Sequence, residues 1–244
     1  MTALLQALAV FAIVLGGAFV GLQLRRVMPE HHLAAESKEV IRSVMALIGT
    51  MSALVLGLLV GSAKSSYDER RAELTKSEGE ILLLDRVLAL YGPESQPVRE
   101  QLRGAVSAVA DRLWRPEPGD PPKFERLYAG ISGLEPKTGE QRELRAEASS
   151  LFTELSRSRW LLAARQGTAI STPLLVIVVF WLSVNFLSFG LFAARNTTVM
   201  VALVIGALSV AGAVYLILEL DSPFRGLLQI SEEPMRALIA RIGK

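Results

Sequence analysis

No charged side chain occurs in the stretch MTALLQALAVFAIVLGGAFVGLQL, which comprises residues 1–24. Three further stretches share this property, at residues 43–63, 166–194 and 196–218. The hydrocarbon core of a bilayer is roughly 30 Å thick, and a helix needs about 20 apolar residues to cross it. Because backbone polar groups in lipid must be satisfied within the segment, each stretch predicts a transmembrane helix. The expected fold is therefore all-α, with four spans in a lipid bilayer.

The composition agrees with a membrane part joined to one polar insert. The mean hydropathy is +0.38, yet charged residues make up 20% of the chain, and most of them lie between spans two and three. We therefore expect a helical cytoplasmic insert at residues 64–165, an external loop at 25–42, in which residues 37–41 already belong to the second helix, and a cytoplasmic tail at 219–244. The formal net charge of +2 gives no basis for nucleic-acid binding. The absence of cysteine excludes disulfides, thiolate nucleophiles and cysteine-based metal sites.

The first span is expected to be a retained signal-anchor and not a cleaved signal peptide. It lacks a basic start, and Arg25 and Arg26 follow it where a small-residue cleavage site would stand.

The basic residues predict the orientation of the spans. Four spans place both termini and the insert on one side, and the positive-inside rule counts Lys and Arg near span ends. With cytoplasmic termini, nine such residues lie inside and five outside, which favours this orientation. The N-terminal tail, which has no basic side chain, points the other way. The inside set is Lys64, Arg70, Arg71, Lys76, Arg157, Arg159, Arg165, Arg225 and Arg236, and the outside set is Arg25, Arg26, Lys38, Arg42 and Arg195.

The insert itself is predicted to be helical. Good helix formers run from Tyr67 to Tyr91 and end at Gly92-Pro93, which is a stop signal. A second, amphipathic helix follows, because apolar residues recur there at helical spacing. We expect a loop at 116–122, a short helix at 123–129 and a long helix from 140 to about 165 that can run into span three. The amphipathic set is Val98, Leu102, Val106, Val109 and Leu113.

Span two carries small residues at four-residue intervals, namely Gly49, Ala53, Gly57 and Gly61. Such a face lets helix backbones approach closely in a membrane. It indicates either tight packing within one subunit or packing beside a pore. In the second case Thr50, Leu54 and Leu58, which are also four apart, would line a hydrophobic constriction that can gate by dewetting.

The polar and charged residues in and near the spans bear on whether the protein could transport ions. Lys64, Arg70 and Arg71 follow span two and would either set topology or form a positive ring that favours anions. No acidic or basic residue lies inside a span, which weighs against a proton-coupled transporter. Asn185 is expected to form an interhelical hydrogen bond more readily than to coordinate an ion.

No enzyme, metal or cofactor signature appears. The adjacent His31 and His32 favour a loop role, because neighbouring side chains diverge in most backbone conformations. Glu219 and Asp221 could bind a cation, but capping and placement at the interface explain them as well. No Ser/His/Asp arrangement, phosphate loop or paired-carboxylate motif occurs.

Several short sequence segments together resemble those of the bacterial bestrophin-like membrane family. They stand at residues 56–60, 63–68, 84–94, 220–226 and 230–234, with Arg99 and Leu102-Arg103 between them. The family motif after span four comprises Asp221, Ser222, Pro223, Phe224 and Gly226. The resemblance covers essentially the whole chain.

This resemblance implies a function, since bestrophins are pentameric anion channels with four spans per subunit. Their termini are cytosolic, a helical region joins spans two and three, and span two lines the pore. The resemblance thus implies a homo-oligomeric, passive channel for an inorganic anion in the bacterial inner membrane. The alternative is a non-conducting scaffold whose cytoplasmic helices bind a protein partner. Span two is richer in Gly and Ala than a bestrophin neck, and only Glu232 and Glu233 stand near the place of the calcium clasp.

Overall fold

The structure is a computed structural model that describes residues 2–27, 35–115, 124–164, 172–193 and 196–243. In these ranges the chain forms α-helices, one short 3-10 turn at Pro93–Ser95, and no β-strand. The predicted residues His31, His32 and Arg195, the loop at 116–122 and the junction at 165–171 lie outside them. The helices are α1 (Thr2–Val27), α2 (Ala35–Tyr91), α3 (Gln96–Trp114), α4 (Phe124–Ser132), α5 (Gly139–Ala164), α6 (Thr172–Phe192), α7 (Thr197–Asp221) and α8 (Glu233–Arg241).

Four of these helices are long and apolar enough to cross a membrane, namely α1, α2, α6 and α7. The prediction of an all-α, four-span protein is thereby confirmed. The helices extend beyond the uncharged stretches, because a charge near the water interface does not end a helix. The predicted external loop at 25–42 is accordingly helical from Ala35 onward, and α1 includes Arg25 and Arg26.

The chain divides into two compact units. Unit 1 comprises Met1–Tyr67 and Thr168–Ser222, and unit 2 comprises Asp68–Gly167 and Pro223–Lys244. Unit 1 contains the apolar helices, and unit 2 contains the polar helices of the insert and the tail.

In unit 1, α1 packs closely on α6 and α7. Glycine makes this approach feasible, because a Cβ added at Gly21 would overlap the backbone of Leu187, and one at Gly190 would overlap the backbone of Ala18. Close approach of backbones at small residues is a general way of joining helices in lipid. Around these glycines lies an apolar cluster of Val10, Val14, Ala18, Phe186, Leu203, Ala207 and Val214.

Helix α2 joins unit 1 through a second apolar cluster. Its residues Leu59 and Ala63 are buried against Val178 of α6 and against Ile217 and Leu220 of α7. This cluster involves one end of the α2 span, and the other end is more open, as described below.

In unit 2, the end of α2 is fixed by local hydrogen bonds. Gly92 has φ 124°, a conformation that L side chains rarely adopt, so the predicted stop at Gly92-Pro93 is confirmed. The Ser95 hydroxyl donates to the carbonyl oxygens of Leu88 and Gly92, and Gln141 Nε2 donates to the Tyr91 carbonyl at 3.0 Å. These bonds satisfy carbonyl groups that a helix end leaves unpaired.

The core of unit 2 is apolar and is drawn from every helix of the unit. The amphipathic pattern predicted for α3 is present, with Val98, Leu102 and Val106 buried. The large side chains that are fully enclosed in unit 2 are Leu84, Leu88, Leu102, Leu127, Ile131 and Ile242.

Candidate functional site: the outward face of span two and the segment after span four

Span two is the least buried of the four candidate spans within the subunit. Leu54 is 70% exposed and Leu58 is 68% exposed, and Thr50 is also exposed. The Thr50 hydroxyl donates to the Ala46 carbonyl at 2.9 Å, so it is satisfied within its own helix. The three residues predicted to line a pore are therefore not covered by the other helices of unit 1.

The small residues of span two meet little within the subunit. A Cβ added at Gly49 would lie 3.6 Å from Asn185 Oδ1, whereas no described residue comes within 4 Å of one added at Gly57 or Gly61. Ala53 is exposed. Packing inside one subunit is therefore not observed at Gly57 and Gly61, and packing beside a neighbouring subunit stays a prediction.

The basic residues after span two differ in their surroundings. Lys64 Nζ lies 5.4 Å from the centroid of the Tyr67 ring, within reach of a cation–π interaction. In unit 2, Arg71 is exposed and Arg70 is half-buried.

Asn185 is buried on α6 and bonds within its own helix. Its Nδ2 donates to the Trp181 carbonyl at 3.3 Å. Among the described residues no hydrogen bond from the Asn185 side chain to another helix is present, and an interhelical bond to a neighbouring subunit stays a prediction. Gly49 of α2 lies beside Asn185 and has no side chain that could accept or donate.

Two carboxylates, Glu219 and Asp221, lie at the end of α7. Glu219 is buried. The Ser222 amide donates to the Glu219 carbonyl at 3.1 Å, which caps the helix. Across the described ranges, no group of three or more His, Cys, Asp or Glu side chains could hold a metal ion.

The family motif continues into unit 2 as an ordered turn. Pro223 is buried, and its carbonyl accepts the Ile230 amide at 2.7 Å. Gly226 has φ 91°, so the turn requires a residue without a side chain there. The Phe224 ring meets the Trp114 ring edge-on, with centroids 5.5 Å apart. Trp114 Nε1 donates to the Ile230 carbonyl at 2.8 Å, which ties the segment to α3.

Two residues from the segments that resemble the family, Asp85 and Arg99, form a buried ion pair. Arg99 Nε and Nη2 donate to the two carboxylate oxygens of Asp85 at 2.9 and 3.0 Å, and both side chains are buried. The Gly243 amide donates to Asp85 Oδ1 at 3.1 Å, and Gln96 Nε2 donates to the Gly243 carbonyl at 3.1 Å. This network joins α2, α3 and the tail within unit 2.

Exposed ion pairs in unit 2 shift the pKa of their members. The hydrogen bond from Lys137 lowers the pKa of Glu94, and the same bond raises the pKa of Lys137. The hydrogen bond from Arg236 likewise lowers the pKa of Glu232. Burial raises the pKa of Glu78, because removal from water disfavours its charged form.

Three features were not predicted from the sequence, although a signal for one of them existed. Gly17 and Gly21 are four apart, which is the same spacing that drew attention to span two. Asp85 and Arg99 are both among the residues that resemble the family, yet their spacing of 14 residues does not predict that they form an ion pair. A groove beside Arg42, described below, has no sequence signal at all.

Four membrane-spanning helices with a helical polar unit define the chain as a helical integral membrane protein. The model of the bestrophin-like domain matches residues 9–235. The chain therefore belongs to the bestrophin-like family. No curated protein and no solved structure matches it.

Proposed function

We propose that the protein is the subunit of a homo-oligomeric, passive channel for an inorganic anion of the chloride type. Family membership supports this proposal, together with spans that carry no charge in their interior. The observation that carries it is the outward face of span two, where Thr50, Leu54 and Leu58 are exposed. A pentamer in the bacterial inner membrane is proposed by resemblance to bestrophins.

The outward face fits an axial position for a physical reason. Gly57 and Gly61 lie on the helix face next to the exposed leucines, and small residues let the helix of a neighbouring subunit approach closely. Repetition of the face around an axis would bring Leu54 and Leu58 of all subunits together as an apolar constriction. Lys64 follows at the end of the span, where positive charge attracts anions.

Chloride flux into liposomes tests this function. Leu54→Ser makes the constriction easier to wet, so we expect chloride flux to rise severalfold, and Leu54→Trp should reduce it by narrowing the path. Leu208→Ser and Leu208→Trp are matched controls, because Leu208 is 62% exposed on α7. Flux no greater than that of empty vesicles, or equal effects at Leu54 and Leu208, would reject the proposal.

The proposed orientation has the termini and the insert in the cytoplasm, and reporter fusions test it. A green fluorescent protein joined after Lys244 should fluoresce, and alkaline phosphatase at the same point should be inactive. The reverse pattern would place the tail outside the cytoplasm.

A second candidate function is a non-conducting scaffold that binds a protein partner. The observation that favours it lies in unit 2, where Leu82, Leu83 and Leu90 of α2 are 48%, 48% and 65% exposed. Apolar side chains outside the spans are typical of interaction surfaces when they lie together. A photoreactive residue in place of Leu83 or Leu90 that crosslinks to another protein, in a preparation without chloride flux, would favour the scaffold.

A further inference from the structure

A groove in unit 1 runs along the membrane-embedded part of α2, α6 and α7. Its volume is about 690 Å³, within the range of roughly 300–1,000 Å³ that is usual for sites of small molecules. The lining lies near the start of α7 and the end of α6, and on α2 it extends over seven residues, from Arg42 to Gly49. At 1.5 Å per residue this is a depth of about 10 Å.

Small residues create the groove. Ala46 and Gly49 of α2 and Ala202 and Gly206 of α7 all line it, so these walls lack the side chains that would fill the space. The remaining wall is formed by phenylalanines of α6, namely Phe186, Phe189 and Phe192. The other end of α2 differs, because Leu59 and Ala63 are buried there against α6 and α7.

The charge that lines the groove is positive. Arg42 lies at the mouth and is the one charged residue among the described lining residues. Arg25 Nη1 donates to the carbonyl of Ala193, which also lines the mouth. No acidic side chain lines the groove among the described residues. The buried polar residues Asn185 and Ser188 lie deeper, and everything else along the groove is apolar.

We propose that this groove binds one anionic phospholipid, with its headgroup phosphate on Arg42 and an acyl chain along the phenylalanines. A guanidinium at the mouth matches a phosphate in charge and in the geometry of its donors. The apolar depth below it requires a hydrocarbon chain, which free phosphate lacks. A helix of a second copy fits less well, because the described lining residues offer Arg42 no acidic partner within an apolar interface.

The site is tested by native mass spectrometry of the full chain, after incubation with an equal mixture of phosphatidylglycerol, phosphatidylethanolamine and phosphatidylcholine. Ala202→Phe fills the groove from an exposed position, so we expect the loss of one tightly bound lipid per subunit. Ala9→Phe is the matched control on α1, at an exposed position outside the groove. Retention of the same number of lipids by Ala202→Phe and Ala9→Phe would overturn the proposal.

The charge at the mouth is tested separately. Arg42→Gln should lower the preference for phosphatidylglycerol over phosphatidylcholine about fivefold, the usual effect of one basic side chain at a membrane surface. Arg26→Gln removes an exposed charge outside the groove lining and should leave the preference unchanged. Equal preference in both variants would contradict a headgroup contact, and this arm decides if Ala202→Phe misfolds.

The competing occupant is a second copy of the chain. Since the protein contains no native cysteine, a single Ala46→Cys variant bearing a bifunctional thiol-to-photoreactive crosslinker can report what fills the groove. We expect crosslinks to added phosphatidylglycerol. Crosslinks to another subunit instead would replace the lipid with a protein interface and overturn the proposal.

Discussion

Two ion pairs in unit 2 have the same length and very different surroundings. Arg99 Nε lies 2.9 Å from Asp85 Oδ1, with both side chains about nine-tenths buried, whereas Lys137 Nζ lies 2.9 Å from Glu94 Oε1, with 72% and 43% of the side chains exposed. Water screens the exposed pair, so its net contribution to stability is small. The buried pair has already lost its hydration, so each partner depends on the other.

Removing Arg99 should therefore destabilise the protein far more than removing Lys137. Arg99→Ala leaves the carboxylate of Asp85 buried with the Gly243 amide as its remaining donor in the network described here, and loss of one partner of a buried pair costs about 3–5 kcal/mol. Lys137→Ala should leave the unfolding midpoint of the detergent-solubilised chain almost unchanged. Thermal unfolding followed by circular dichroism measures both variants, and equal midpoints would contradict this account of burial.

At the scale of helices, glycine positions in the spans separate into two kinds. Gly190 of α6 lies where an added Cβ would overlap the backbone of Ala18, and Gly212 of α7 has no described residue within 4 Å of such a Cβ. Backbone atoms cannot move aside as a flexible side chain can. Close contact in the membrane therefore depends on Gly190 and not on Gly212.

Gly190→Ala should push α1 and α6 apart and destabilise unit 1. Overpacking typically costs about 1–3 kcal/mol, and here the overlap is with backbone. Gly212→Ala is the matched control and should be neutral or slightly stabilising, because alanine is the better helix former. The midpoint of thermal unfolding in detergent measures both, and a loss at Gly212 as large as that at Gly190 would refute the predicted packing.

Trp114 of α3 holds the segment after span four by a hydrogen bond and by an aromatic contact. Trp114→Phe removes the hydrogen bond to the Ile230 carbonyl but leaves an aromatic ring beside Phe224, so we expect a loss of about 1 kcal/mol. Leu227→Ala, at a side chain that is 83% exposed in the same segment, should cost little. Chemical denaturation of the solubilised protein compares them, and a greater loss at Leu227 would show that the bond is unimportant.

The sequence predicts elements better than it predicts their partners. The end of α2 at Tyr91 follows from Gly92-Pro93, and the four spans follow from the cost of charge in lipid. The partner of a small-residue face does not follow, because the same spacing occurs at Gly17 and Gly21 and at Gly57 and Gly61. The first pair meets a helix backbone, and the second meets nothing described within the subunit. The packing partner of such a face depends on the shapes of both helices, and the spacing of small residues describes only one of them.

At the scale of the whole molecule, the decisive question is whether the outward face of span two meets water or lipid. Leu54, Leu58 and Leu208 have similar exposure, at 70%, 68% and 62%, so the subunit alone does not distinguish them. The proposed channel does distinguish them, because it places the first two along an aqueous path and the third against acyl chains.

Cysteine accessibility measures this difference directly, since the chain has no native cysteine. Leu54→Cys and Leu58→Cys should react with a charged, membrane-impermeant thiol reagent in reconstituted vesicles, because the thiolate that reacts forms in water and not in lipid. Leu208→Cys should stay unmodified, and denaturation in detergent should make all three react equally. Reaction at Leu54 and Leu58 that is no faster than at Leu208 would place span two against lipid or packed protein, and the scaffold would then be the better account of the molecule.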